Sequence, residues 1–226
     1  MLNFKQIQQA FPANLLHLKR HMFREYLQYK VLDIIFKSKY ANKLAFLGGT
    51  ALRIVHDNQR FSEDLDFDNF ELTEAEFVDI SQIVKKGLEL DGCIVEIKNV
   101  FKGAFRCSLR LPEILFKNEL TDHQNEKLLI QLDTFGHNFK YIPEQFELKR
   151  FDVLRHINVT PKSILLSQKF FAAFDRKRLK GRDFYDIIFL LSLGVKPNYE
   201  YLKAKISIGN ERKLKSYVLE KSKGLD

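Results

Sequence analysis

Apolar side chains recur every three or four residues from Leu15 to Phe36, through Leu18, Met22, Phe23, Tyr26, Leu27, Val31, Leu32 and Ile35. That spacing lines one face of a helix, so one or two amphipathic helices are predicted there. The period then shortens. Residues 43–47 form a short apolar run that ends at Gly48-Gly49, which predicts a strand and a turn. A helix is predicted over 50–56, with Thr50 near its start as a cap. Residues 64–68 alternate acid and apolar, the signature of a strand. A helix follows over 73–90, with Thr73 and Glu76 at capping-box spacing. Residues 94–100 and 105–111 read as a hairpin turning at Lys102-Gly103, and 127–135 as a further strand. The polar stretch 112–126 between them reads as a loop. After about Arg155 the pattern is helical: 163–178, 183–193, and two more helices within 199–223.

Strands with a few helices therefore come first and a helical block follows. The expectation is an α/β domain over 1–158 and an all-α domain over 159–226, with a cleft between them. No internal repeat or low-complexity linker interrupts the chain. The longest apolar runs, such as 187–191, fall far short of the roughly 20 residues that span a bilayer. The first residues lack the apolar block of a signal peptide. A cytoplasmic protein without a membrane partner is expected. Cys93 and Cys107 are too few for a disulfide framework or a zinc cluster and are expected to be buried. No heptad pattern appears, so a monomer is expected.

Composition adds a contrast. Lys and Arg number 37 against 29 Asp and Glu, a net charge of +8, which favours polyanionic partners such as nucleic acid. Yet Glu63, Asp64, Asp66 and Asp68 crowd together shortly after the glycine turn. Residues two apart on a strand share a face, so Asp64, Asp66 and Asp68 lie together while Leu65 and Phe67 point into the core. Neighbouring carboxylates repel unless a cation lies between them. Mg²⁺ takes one or two carboxylates and completes its shell with water and phosphate oxygens. Gly48 and Gly49 let a phosphate approach the backbone, and the helix that follows offers free N–H groups to it. Together these features point to a nucleoside-triphosphate site, with two Mg²⁺ ions, that is not a P-loop. Asp133, one acid in a largely apolar strand, is the candidate third carboxylate for a metal. Glu63 and Asp68 are expected to be solvated, and the scattered His56, His123, His137 and His156 are given no role.

In the helical block, Lys169 sits on an apolar face with Ile164, Leu165, Phe170, Ala173 and Phe174. Such a lysine must snorkel or meet an anion. Asp183 and Asp186 lie one helical turn apart, with Arg176 and Arg182 near in sequence. An internal Lys–Asp network joining two helices and a phosphate contact are both open on these residues alone.

Three stretches in order, GGTALR from Gly48, RFSEDLDF from Arg60 and LSQKFFAAFDRKRLKGRDFYDIIFLL from Leu166, resemble the AbiEii/AbiGii-type nucleotidyltransferase toxins of type IV toxin–antitoxin systems. The resemblance spans roughly residues 46–193. It implies a polymerase beta-like nucleotidyltransferase domain with a mixed sheet, followed by an all-α domain. It implies that Gly48, Gly49 and Thr50 grip nucleotide, and that Ser62, Asp64 and Asp66 form an S-x-D-x-D motif with both aspartates on metal. Asp133 falls where the third strand carboxylate belongs. Lys169 would contact triphosphate, with Asp183 as its partner and Asp186 in support. Arg53 and Arg60 match positions often basic in the family, from which a side chain could touch phosphate. The implied activity is Mg²⁺-dependent transfer of NMP from an NTP to the 3′ end of tRNA, blocking translation and growth, with a cognate antitoxin as partner. Transfer to a protein or small molecule, a non-catalytic nucleotide-binding regulator, and a basic RNA-binding module without chemistry are the alternatives.

Overall fold

A computed structural model of the chain describes residues 1–136, 139–175 and 181–222. It divides into two units, Met1–His137 with Pro143–Val159, and Asn138–Ile142 with Thr160–Asp226.

The first unit is built on a seven-stranded mixed sheet. Its elements run α1 (Phe4–Gln8), α2 (Lys19–Lys37), β1 (Leu44–Leu47), α3 (Gly48–His56), β2 (Leu65–Asn69), α4 (Glu74–Leu90), β3 (Glu96–Lys102), β4 (Ala104–Pro112), α5 (Ile114–Lys117), β5 (Lys127–Gly136), β6 (Glu144–Arg150) and β7 (Val153–Val159). The strand order is β3-β4-β5-β2-β1-β7-β6. β2 lies at the centre, antiparallel to β1 and parallel to β5, and β1 is parallel to β7.

Local chemistry accounts for the boundaries. Thr73 accepts from the Glu76 N–H, and the Glu76 carboxylate accepts from the Thr73 N–H, so the expected capping box starts α4. Gly103, at φ +75°, turns the β3–β4 hairpin. Phe67 packs against Phe36 of α2 and Phe46 of β1, with ring centroids 6.3 and 5.7 Å apart, which seats β2 on the core. Gly87 of α4 sits where a Cβ would come within 2.7 Å of Ile34, which lets α4 lie close on α2.

Three features depart from the sequence reading. The β6–β7 hairpin was not expected, and β7 supplies the parallel neighbour of β1. The stretch 112–126 contains α5, whose Ile114 and Leu115 are buried, so part of it belongs to the core. Its far end is tied to α2 by the Arg20–Glu126 pair at 2.7 Å. Helix α3 begins at Gly48 rather than Thr50, with Leu47 at its cap position and no side-chain cap.

The second unit holds α6 (Lys162–Asp175), α7 (Gly181–Ser192), α8 (Tyr199–Ile206) and α9 (Glu211–Ser222). Leu166, Phe170, Ile187, Leu190, Tyr201 and Leu202 are buried in it. Phe174 meets Phe184 and Tyr217 edge-on. Asn198 caps α8 by accepting from the Tyr201 N–H, and its own N–H donates to Ser167 Oγ on α6. Arg176, the expected end of α6 at Arg178, and Lys223 lie outside the described residues. Among the described residues no helix is long and apolar enough to cross a membrane.

Candidate active site

The site begins with the register of the sheet. Leu47 of β1 pairs with Asp66 of β2, Asp66 with Asp133 of β5, and Asp133 with Arg106 of β4. Residues in register share a face, so Asp66, Asp133 and Arg106 stand side by side on three adjacent strands. The next row alternates to the core, where Leu65 lies beside Leu132. Asp66 and Asp133, which are 67 positions apart in sequence, thus become neighbours.

Asp66 is shaped by the glycine turn. Gly48 has φ +86°, and a Cβ there would fall 2.2 Å from Asp66 Oδ2. Only glycine combines that backbone with that space. The sequence reading assigned this room to a phosphate; the structure gives it to the Asp66 carboxylate. A Cβ on Gly49 would meet Arg60 Nη2 at 2.7 Å and Ser62 Oγ at 2.8 Å, so this second glycine makes room for two more predicted site residues. Thr50, rather than capping the helix, donates its hydroxyl to the Asp64 carbonyl and ties α3 to the start of β2. Gln28 of α2, which is buried, donates to the carbonyls of Ser62 and Glu63 and fixes the same segment from the other side.

Asp64 and Asp66 are half-buried, whereas Asp133 is 6% exposed. Arg106 holds both oxygens of Asp133, Nε to Oδ1 at 2.8 Å and Nη2 to Oδ2 at 2.9 Å, and Gln131 adds a bond to Oδ2 at 3.1 Å. The Asp133 hydrogen bonds, reinforced by the Asp64 and Asp66 charges, hold the Arg106 guanidinium above its ordinary basicity. Arg106 was not found in the sequence, where it is one charged residue in an alternating strand.

Other predicted residues are placed differently from expectation. Arg53 is bound to Glu25 of α2 at 2.8 Å, donates to the carbonyls of Asn58 and Gln59, and stacks on Phe61. Glu25, 2% exposed, also takes Arg150 at 2.6 Å. Arg53 therefore belongs to a buried frame rather than to a phosphate contact. Asp68, expected in solvent, is fully buried, because β2 is the central strand and its far end is covered as well. Glu63 is exposed as expected and pairs with Arg24 at 2.6 Å. In the second unit Lys169 pairs with Asp186 at 2.7 Å. Asp183 is buried one turn away on α7. Both cysteines are buried, and burial pushes the Cys93 thiol up to about 11.

Asp66 on β2 and Asp64 just before it are hard oxygen donors, which suits Mg²⁺ with one or two protein carboxylates. Among the described residues no group of three or more Asp, Glu, His or Cys is arranged to hold a metal, in keeping with the commitment of Asp133 to Arg106.

The site thus combines a glycine turn that seats one aspartate with a second aspartate in register on the neighbouring parallel strand. The chain belongs to the AbiEii family, since the family model described as "Nucleotidyl transferase AbiEii toxin, Type IV TA system" matches residues 30–213. Among solved structures it is similar to JHP933 from Helicobacter pylori, with a TM-score of 0.53, 18% identity, and 90% of this chain and 74% of that one covered. It is also similar to an antigenic nucleotidyltransferase-like protein from Paracoccidioides brasiliensis, with a TM-score of 0.51, 14% identity, and 87% and 88% covered. At such identities the likeness is one of fold. No curated protein matches.

Proposed function

We propose that this nucleotidyltransferase moves NMP from an NTP to the 3′ hydroxyl of a tRNA, depends on a divalent cation, and thereby blocks translation and growth under the control of a cognate antitoxin. The observation that carries the chemistry is the row of Asp66 and Asp133 beside the Gly48 turn. Asp64 and Asp66 would hold Mg²⁺. Bound there, it would neutralise phosphate oxygens and lower the cost of charge in the transition state. Ser62 and Arg60, packed against Gly49, would meet the nucleotide together with the N–H groups that open α3. Lys169, oriented by Asp186, would contact triphosphate. Asp133 would take the proton of the acceptor hydroxyl as its oxygen attacks the α-phosphorus and pyrophosphate leaves with the bonding electrons.

Support for a polyanionic acceptor comes from where the charge lies. Residues 1–159 carry 22 Lys and Arg and 22 Asp and Glu, whereas residues 160–226 carry 15 and 7. The whole +8 excess thus falls in the helical unit, which suits phosphate backbone contacts.

The test incubates protein, Mg²⁺ and total tRNA with each α-³²P NTP, beside Asp66→Ala. Label on tRNA that the variant cannot produce is expected, with the variant's melting transition retained. Label on protein alone, or equal label from the variant, would overturn the proposal.

A further inference from the structure

We propose that Arg106 is the built-in counter-ion of the acid row, and that a divalent cation can engage Asp133 only by displacing it. Asp133 is nearly buried, and a desolvated carboxylate requires a cationic or hydrogen-bonding partner. Arg106 meets that need with two parallel bonds at 2.8 and 2.9 Å, the bidentate form of the Arg–carboxylate pair. The strand register puts this guanidinium in the same row as Asp66, so it faces the charge that a metal would otherwise balance. Its side chain is 47% exposed while that of Asp133 is 8% exposed, so the arginine, not the aspartate, is free to withdraw. An arginine stays charged throughout the working pH range, so it cannot yield by losing a proton. Two cations contending for one carboxylate exclude each other. Arg106 is on this account a positioning residue that keeps Asp133 ordered and charge-balanced until metal arrives, and it lowers the affinity for that metal.

The inference rests on the metal-dependent reading above and is tested apart from activity. Mn²⁺ is titrated by calorimetry and electron paramagnetic resonance into the wild-type chain and into Arg106→Gln, Arg106→Lys, Asp133→Asn and Asp66→Asn. Removing the competing charge in Arg106→Gln is expected to tighten Mn²⁺ binding on the order of tenfold, as loss of a nearby like charge implies. Arg106→Lys, which keeps the charge without the fork, is expected to fall between it and wild type. Arg106→Gln in an Asp133→Asn background is expected to gain much less. Without metal Arg106→Gln should melt below wild type, and Mn²⁺ should raise its midpoint by more. Unchanged or weaker Mn²⁺ binding in Arg106→Gln, while Asp66→Asn still weakens binding, overturns the inference and leaves the metal reading standing. No Mn²⁺ binding by either wild type or Arg106→Gln removes both.

Discussion

Replacing Gly48 with alanine tests the geometry of the turn in two separable parts. The first is backbone strain: at φ +86° a residue with a Cβ is held outside its allowed regions, at a cost of about 1–3 kcal/mol. The second is steric. The new Cβ would lie 2.2 Å from Asp66 Oδ2 and 2.9 Å from Asp66 Cβ, so rotating the carboxylate does not relieve the contact and the strand must shift as well. A small-to-large clash of this kind adds about 1–3 kcal/mol. The sum, roughly 2–5 kcal/mol, should lower the melting midpoint by several degrees, at about 2–4 °C per kcal/mol for a chain of this size. Urea unfolding of Gly48→Ala, Asp66→Ala and the double variant separates the parts. In the Asp66→Ala background the contact with the carboxylate is gone and only the 2.9 Å contact with the β-carbon remains, so Gly48→Ala should cost less than in wild type, and the cycle should show coupling of about 1 kcal/mol or more. Gly49→Ala is the control. Its φ is unstrained, and its Cβ would press on Arg60 Nη2 and Ser62 Oγ. Better helix propensity offsets about 1 kcal/mol of that. Coupling near zero between positions 48 and 66, or equal losses at 48 and 49, would refute the reasoning.

Three further outcomes follow from buried or paired charges. Glu25→Gln should destabilise the first unit by about 3–5 kcal/mol, because Arg53 and Arg150 lose their shared anion; a loss below 1 kcal/mol in denaturant unfolding would show the frame to be dispensable. Asp186→Asn should cost about 3 kcal/mol by stranding Lys169, whereas Lys169→Met with Asp186→Leu should recover most of it in the same assay. Failure to recover would mean that more than the pair holds α6 to α7. Hydrogen bonds from Lys43 and then the Thr73 N–H hold the Glu76 carboxyl below its ordinary value. Its contribution to stability is therefore present above the ordinary glutamate range and is lost as pH falls through the lowered value. The stability gap between wild type and Glu76→Gln, followed by melting from about pH 6 down to 3, should close on acidification; a constant or widening gap would contradict it.

What the sequence revealed depended on whether the signal was local. The glycine turn, the alternating acids of β2 and the capping box of α4 depend on neighbours within a few positions, and each appears where expected. The β6–β7 hairpin was hidden because Glu144-Gln145-Phe146-Glu147-Leu148-Lys149-Arg150 carries only two apolar residues, as an edge strand can. Arg106 and Glu25 were invisible for a different reason. Each acts through a partner more than 25 positions away, and strand register or helix docking, not spacing, makes the pair. Asp68 follows the same rule: alternation told its face correctly, but only the strand order shows that this end of the central strand is covered.

The strand order also governs when the site can exist during synthesis. Asp66 waits for Asp133 before its row forms, and β1, which carries the glycine turn at its end, lacks its outer neighbour until β7 has been made. Such parallel pairings of distant segments form late, because a long loop must close first. A nascent chain halted before residue 153 would hold the turn and the first acids on a sheet whose β1 is an open edge. The reactive row thus cannot form before β5 has been made, and β1 keeps an open edge until β7 joins it.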